Sequence, residues 1–406
     1  YFSNMIKRHL ILAALVLSQL CVKAQVLIDS VGTKVRKTEI ELVYNHYLQD
    51  GNNSAVTGGI GTEKLTVFGP SVSIVKTNGS NAFKINLGAD IISSASTDKI
   101  DYVVSSASSR DSRYYTDMSY ERKTQSGLGI NGGLSYSIES DYFSQGYKLG
   151  INKSNKEKER YWFVNFQYFN DDLRWGRINP EHFKPVKLIY PSELRDREWF
   201  DSPKRHSSNL KTGFTQTINK RNILGIFPEL AYQQGLLSTP FHRVYFTDNG
   251  VTVEQLPSVR HKAALAIKLN TAINSKYILK NGIQVYTDDF GIRALSFEHE
   301  SMIKINPFFS ILPNFRINTQ KASKYFAPFQ QHAKTEVYYT SDYDLSGFQS
   351  YLIGMGFKYN PYIFATRKIL FNTLILRYSY MYRSNGLQAH ILSLVLQTAV
   401  LRKNNK

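Results

Sequence analysis

The chain has 406 residues, with 50 Lys+Arg against 32 Asp+Glu for a formal charge of +18, one Cys, and 13% aromatic residues that include 27 Tyr and 24 Phe. A single Cys excludes a disulfide framework and any multi-Cys zinc or iron–sulfur site. Negative mean hydropathy, with no apolar run near the ~18 residues that a membrane helix needs, excludes a polytopic helical membrane protein, and the 42% hydrophobic content argues against disorder.

Met5 reads as the start of a signal peptide. Lys7 and Arg8 form a positive n-region, and Leu10 to Leu20 an apolar h-region too short to span a bilayer. Val22 and Ala24 then place small residues at −3 and −1 of a cleavage site before Gln25. A lipoprotein reading would use Cys21, but Leu20 stands where a small residue is needed. Cleavage would remove Lys7, Arg8, Lys23 and Cys21, leaving net +15 over 382 residues and no thiol. That suits an exported protein and removes thiol chemistry.

From there the chain alternates at period 2, and helical periodicity is nearly absent. Sixteen strands are predicted, at 38–48, 62–76, 81–92, 112–122, 127–138, 142–152, 160–170, 208–218, 223–235, 259–272, 277–287, 291–304, 307–318, 347–359, 368–382 and 388–401. The count is held between 14 and 18, and 334–341 is read as either a further strand or part of a folded loop. In the fifth strand Leu128, Ile130, Leu134, Tyr136 and Ile138 share one face, with Gly and Ser opposite. In the seventh, Trp162, Val164, Phe166 and Tyr168 oppose Asn165 and Gln167.

Alternation alone fits a soluble sandwich, apolar face inward, or a membrane barrel, apolar face outward. Length separates them: these runs exceed the roughly 5–6 residues of soluble strands and match a tilted membrane strand. The connections also alternate. Short ones fall at 77–80, 123–126, 218–222, 274–276 and 304–307, and long ones at about 49–61, 93–111, 171–207, 236–258 and 319–346. Short turns on one rim and long loops on the other describe an all-β fold, a single antiparallel outer-membrane β-barrel with periplasmic turns and extracellular loops. An even count brings both termini to the periplasm. Residues 25–37 then form a periplasmic segment, 38–401 the barrel and 402–406 a periplasmic tail. Tyr and Trp near strand ends, such as Tyr44, Tyr114, Trp162 and Tyr382, suit an interfacial girdle.

The turn Thr287-Asp288-Asp289-Phe290-Gly291-Ile292-Arg293, the following Glu298-His299-Glu300, and Asn318 to Phe329 resemble an uncharacterised Bacteroidota outer-membrane barrel family, domain of unknown function thirty-five seventy. Asp90 to Ser108 and Ser341 to Ser346 are similar to it too, so the resemblance covers essentially the whole mature chain. The family pattern has Trp after the two Asp, where this chain has Phe290. It has a small polar residue and His after the Arg, where this chain has Ala294-Leu295. The resemblance implies an outer-membrane barrel with no established activity, and a link to extracytoplasmic redox or metal traffic.

Several residue groups bear on function. Asp288, Asp289, Asp342 and Asp344 fall on the long-loop rim, where four hard oxygen donors would suit Ca²⁺ as a structural ion. The alternative is Asx-turn chemistry, each side chain serving its own turn. Glu298 and Glu300 are read as lumen-facing, and His299 between them as interfacial on the opposite face, so the three do not converge. The serine-rich echo at 90–108, with Ser94, Ser96, Ser106 and Ser108, is either a loop folded into the lumen or an extended hairpin. Loop 171–207, with Trp175, Trp199 and four of twelve Pro, is either a plug, lid or partner surface, or a solvated loop.

No nucleophile elbow or Gly-rich phosphate loop is present, so neither an enzyme nor a cofactor is expected beyond the calcium candidate. The expected partners are outer-membrane lipid, lipopolysaccharide and the barrel-assembly machinery, with no nucleic acid. The leading expectation is a passive channel or transporter for small solutes or ions in the outer membrane of a Gram-negative bacterium. The alternative is a non-conducting barrel that scaffolds an envelope complex.

Overall fold

The computed structural model describes residues 36–94, 110–139, 143–155, 159–173, 178–179, 184–185, 204–239, 242–361, 363–364 and 369–402. The expected signal peptide lies outside the described residues, as do Ser96, Ser106, Ser108, Trp175 and Trp199.

Sixteen long strands run antiparallel to their neighbours in chain order: β1 (Arg36–Asp50), β2 (Leu65–Asn78), β3 (Asn81–Ser94), β4 (Arg110–Lys123), β5 (Leu128–Ile138), β6 (Phe143–Ser154), β7 (Arg160–Asp172) and β8 (Lys204–Asn219), then β9 (Asn222–Gly235), β10 (Val259–Ala272), β11 (Tyr277–Asp288), β12 (Arg293–Lys304), β13 (Phe309–Lys321), β14 (Phe348–Tyr359), β15 (Ile369–Arg383) and β16 (Gln388–Arg402). β16 pairs with β1 along its whole length, from Arg36 opposite Arg402 to Asp50 opposite Gln388. The sheet is therefore a closed barrel with no free edge, the arrangement that leaves no backbone group unpaired in hydrocarbon. Among the described residues no helix is long and apolar enough to cross a membrane.

Side-chain chemistry explains the two unlike rims. On the short-turn rim, Asn219 accepts the N–H groups of Arg221 and Asn222. Asn274 does the same for Lys276 and Tyr277, and Asn306 for Phe308 and Phe309. Each Asx side chain satisfies the turn that would otherwise expose its own donors. Of the serine candidates only Ser94 is described, closing β3.

Alternation puts one row of each strand outside. The exposed large side chains fall on alternate positions, such as Ile283 and Val285, Leu295 and Phe297, Phe315 and Ile317, with Leu149 and Ile353 each 68% exposed. So continuous an apolar surface suits hydrocarbon rather than water.

A well-buried apolar cluster lies in the long loops. Val244 of the hairpin Arg243–Tyr245/Val251–Val253 and the adjoining Phe246 pack with Tyr339, whose ring also meets that of His332. The stretch 334–341 is a folded loop: Tyr339 bridges Gln255, and Thr340 bridges Phe326. A third loop, 51–64, joins them. Arg243 donates to the Val56 carbonyl, and Gly58 and Gly59 let Tyr245 and Tyr343 approach so closely that a Cβ would clash with either ring.

Candidate functional site

The lumen takes its charge from the inward rows. On the wall β10–β15 these carry Arg260, Lys262, Lys268, Lys280, Lys304, Arg316, Lys358, Arg377 and Arg383 against Asp288, Glu298 and Glu300. Glu298 pairs with Lys268 at 2.9 Å, reaching over Gly282, whose missing side chain makes the room. Glu300 takes Lys280 at 2.8 Å and also Arg377, which stands three strands away in β15. Both glutamates thus face inward and are held by cations. Asp288 is fully buried against Arg260, accepts the Tyr286 hydroxyl at 2.8 Å, and caps its own turn through the Ile292 N–H at 3.0 Å. Among the described residues Lys262, Lys304, Arg316 and Lys358 make no salt bridge, and the cations of this wall outnumber its acids, so it keeps an excess of positive charge. The remaining strands are more evenly matched, with Lys211 on Glu229, Arg205 on Asp171, and Glu121 between Lys123 and Asn152.

Two cavities open along the basic wall. One, of about 530 Å³, is lined by Arg260, Tyr286, Asn318, Gln320, Asp344 and Arg383 near the long-loop rim. The other, of about 480 Å³, lies deeper against Lys268, Lys280, Glu298, Glu300 and Arg377. Arg316 lines both. On the adjoining strands β7–β9, Phe163 and Phe227 lean together at 6.4 Å over Gly213.

The mouth is partly covered by the packed loops. Gln320 donates to the carbonyls of Asp344 and Ser346, and Arg383 binds Asp344, so the turn 343–346 is tied down onto the inner wall. In loop 51–64, burial and then Asp344 push the Glu63 carboxyl up to about 7.

The four rim aspartates do not meet, and the expected calcium cluster is not formed: among the described residues no group of donors within 4.8 Å unites them. Each has found a separate partner. Asp288 is spent on Arg260 and its own turn. Asp289 binds His261 at 2.9 Å; burial works against its charge, but the imidazole holds its carboxyl below the usual range. Asp344 binds Arg383.

Asp342 instead faces two residues of another loop, His242 and Glu254. His242 Nδ1 lies 3.7 Å from Asp342 Oδ2 and 3.7 Å from Glu254 Oε2. Burial, with Asp344 and Glu254 adding to it against His242, pushes Asp342 up to about 6. Burial pulls the His242 imidazole down, but Glu254 and then the two aspartates outweigh it and hold it above its ordinary value. Nothing in the spacing of these residues signals the cluster, because it is assembled by loop packing.

His299 lies on the outward face, in the middle of β12. Both ring nitrogens are engaged there, Nδ1 with Asn281 at 2.7 Å and Nε2 with Ser301 at 2.8 Å. The distinctive Phe290 of the Asp-Asp turn is buried under the Arg260 guanidinium, 4.4 Å from its ring centre, and against Tyr325.

The model of the family described as "Protein of unknown function (DUF3570)" matches residues 7–368. No curated protein matches the chain. Among solved structures it is similar to OccK1 (OpdK) of Pseudomonas aeruginosa, at 9% identity and TM-score 0.40, covering 90% of this chain and 99% of that one. It is also similar to a BenF-like porin from Pseudomonas fluorescens Pf-5, at 10% identity and TM-score 0.42, covering 89% and 99%.

Proposed function

The chain belongs to the DUF3570 family, whose function is unknown, and from the barrel itself we propose a passive outer-membrane channel that favours small anions. A closed barrel with an apolar outer surface and a polar interior supports the membrane setting. The observation that carries the channel reading is the basic wall: Arg316 borders both lumen cavities, and Lys262, Lys304 and Lys358, which make no salt bridge among the described residues, share its wall. Fixed charge of one sign in a confined polar space concentrates counter-ions and selects among solutes. Small carboxylates or phosphates fit cavities of this size and charge.

The loop layer over the mouth favours a second reading, a non-conducting barrel that presents those loops to an envelope partner. Purified protein in planar bilayers separates the two. The channel reading expects current steps whose reversal potential under a salt gradient lies on the anion side. A folded barrel that passes no current leaves only the scaffold.

A further inference from the structure

We propose that His242, Glu254 and Asp342 form a binding site for a divalent transition-metal ion that staples two of the long loops together over the mouth. The inference is independent of what the channel conducts.

The donor set comes from two segments. His242 and Glu254 flank the hairpin Arg243–Tyr245/Val251–Val253, and the Glu254 N–H is bonded to the His242 carbonyl at 2.8 Å, which fixes the two side by side. Asp342 arrives from loop 322–347, at the N-cap of the short helix Tyr343–Leu345. The three ligand atoms lie within 4.8 Å of one another, with Nδ1 at 3.7 Å from each carboxylate oxygen. Bonds of about 2.0–2.2 Å at tetrahedral angles put neighbouring donors about 3.3–3.6 Å apart, so little movement closes the site.

The surroundings orient the donors. Glu254 accepts the Thr239 N–H on Oε1 at 2.7 Å, and the Thr340 hydroxyl on Oε2 at 2.5 Å. An ionised carboxylate oxygen keeps a further lone pair for a metal. Asp342 accepts the Asp344 N–H on Oδ1 at 2.9 Å, which leaves Oδ2 turned toward the imidazole. Such outer hydrogen bonds are what hold metal ligands in place.

Charge is the second, separate observation. Glu254 is 2% exposed, yet among the described residues no Lys or Arg pairs with it or with Asp342. Two carboxylates facing each other in a loop core are costly without a counter-charge. A divalent cation supplies it in full, whereas an imidazolium supplies half. One imidazole nitrogen with two carboxylate oxygens suits Zn²⁺ or a neighbouring first-row ion, and the nitrogen disfavours Ca²⁺.

The test is Zn²⁺ uptake by the purified full chain in detergent, by equilibrium dialysis with metal analysis. The proposal expects one equivalent bound, lost in His242→Ala and in Asp342→Asn, and kept in His261→Asn, a histidine–aspartate pair elsewhere on the rim. Barrel integrity in each variant is checked by the heat-dependent shift in gel mobility. Hydrogen exchange of wild type should slow on adding Zn²⁺ in both 242–258 and 322–347, and Ca²⁺ should not reproduce it. The proposal fails if no zinc binds, which would leave His242 as an imidazolium between two acids. It also fails if His242→Ala and Asp342→Asn bind as wild type does.

Discussion

Arg383 donates to Asp344 through Nη1 at 2.6 Å while its guanidinium stacks on Phe348 at 3.9 Å. One residue at the end of a barrel strand thereby anchors a loop above the lumen. Asp344 is 70% exposed, so the ion pair contributes only about 0–1 kcal/mol to stability. Its consequence is positional. Arg383→Ala should leave the heat-dependent gel shift unchanged, but release the turn 343–346 and raise the frequency of transitions between conductance levels. Arg383→Lys should restore the quiet trace only in part, because it keeps the charge and loses the planar stack.

Reversal of charge at Arg316 tests the basic wall. A unit charge felt at about 8 Å through an effective dielectric of about 40 is worth about 1 kcal/mol, a factor of about five in local ion concentration. Arg316→Glu should therefore lower the anion-to-cation permeability ratio severalfold, more at low salt than at high. Reversal potentials under a KCl gradient check it.

Glu63 should make the loop layer sensitive to pH. Its carboxyl is pushed up to about 7 in the folded protein by burial and then by Asp344, against 4.5 ordinarily. The folded loops bind that proton more tightly than unfolded ones, so the sign is definite: the neutral form favours the packed layer. Stability is full below about pH 4.5 and falls as pH rises toward 7. Hydrogen exchange of 51–64, corrected for its intrinsic pH dependence, should show more protection at pH 5 than at pH 8. Glu63→Gln should remove the difference.

A side chain at Gly213 would enter occupied space. A Cβ there would stand 2.3 Å from the Phe163 ring and 2.8 Å from that of Phe227. Gly213→Val should push both rings into the lumen and destabilise the barrel by about 1–3 kcal/mol. Single-channel conductance should fall, and Phe163→Leu in that background should recover it.

The barrel was largely legible in the sequence, because its signals are local. Period-2 alternation marks each strand, and Asn219, Asn274 and Asn306 mark the tight turns that their own side chains close. The face of Glu298 and Glu300 follows from the same parity, but their partners do not, since Arg377 reaches Glu300 from three strands away. The rim was less legible. Four aspartates in matching loop positions suggested one ion site, and each proved to have its own partner. His242, Glu254 and Asp342 carry no spacing signal, since two packed loops bring them together. The outward His299 shows a similar limit: its face is a matter of counting, but its two hydrogen bonds depend on the register with Asn281.

The anion-favouring channel is open to planar-bilayer recording of the purified, folded full chain under a tenfold KCl gradient. The channel reading predicts discrete current steps and a reversal potential displaced toward that of chloride. A correctly folded barrel that gives no steps, or steps that reverse near the potassium potential, would contradict it.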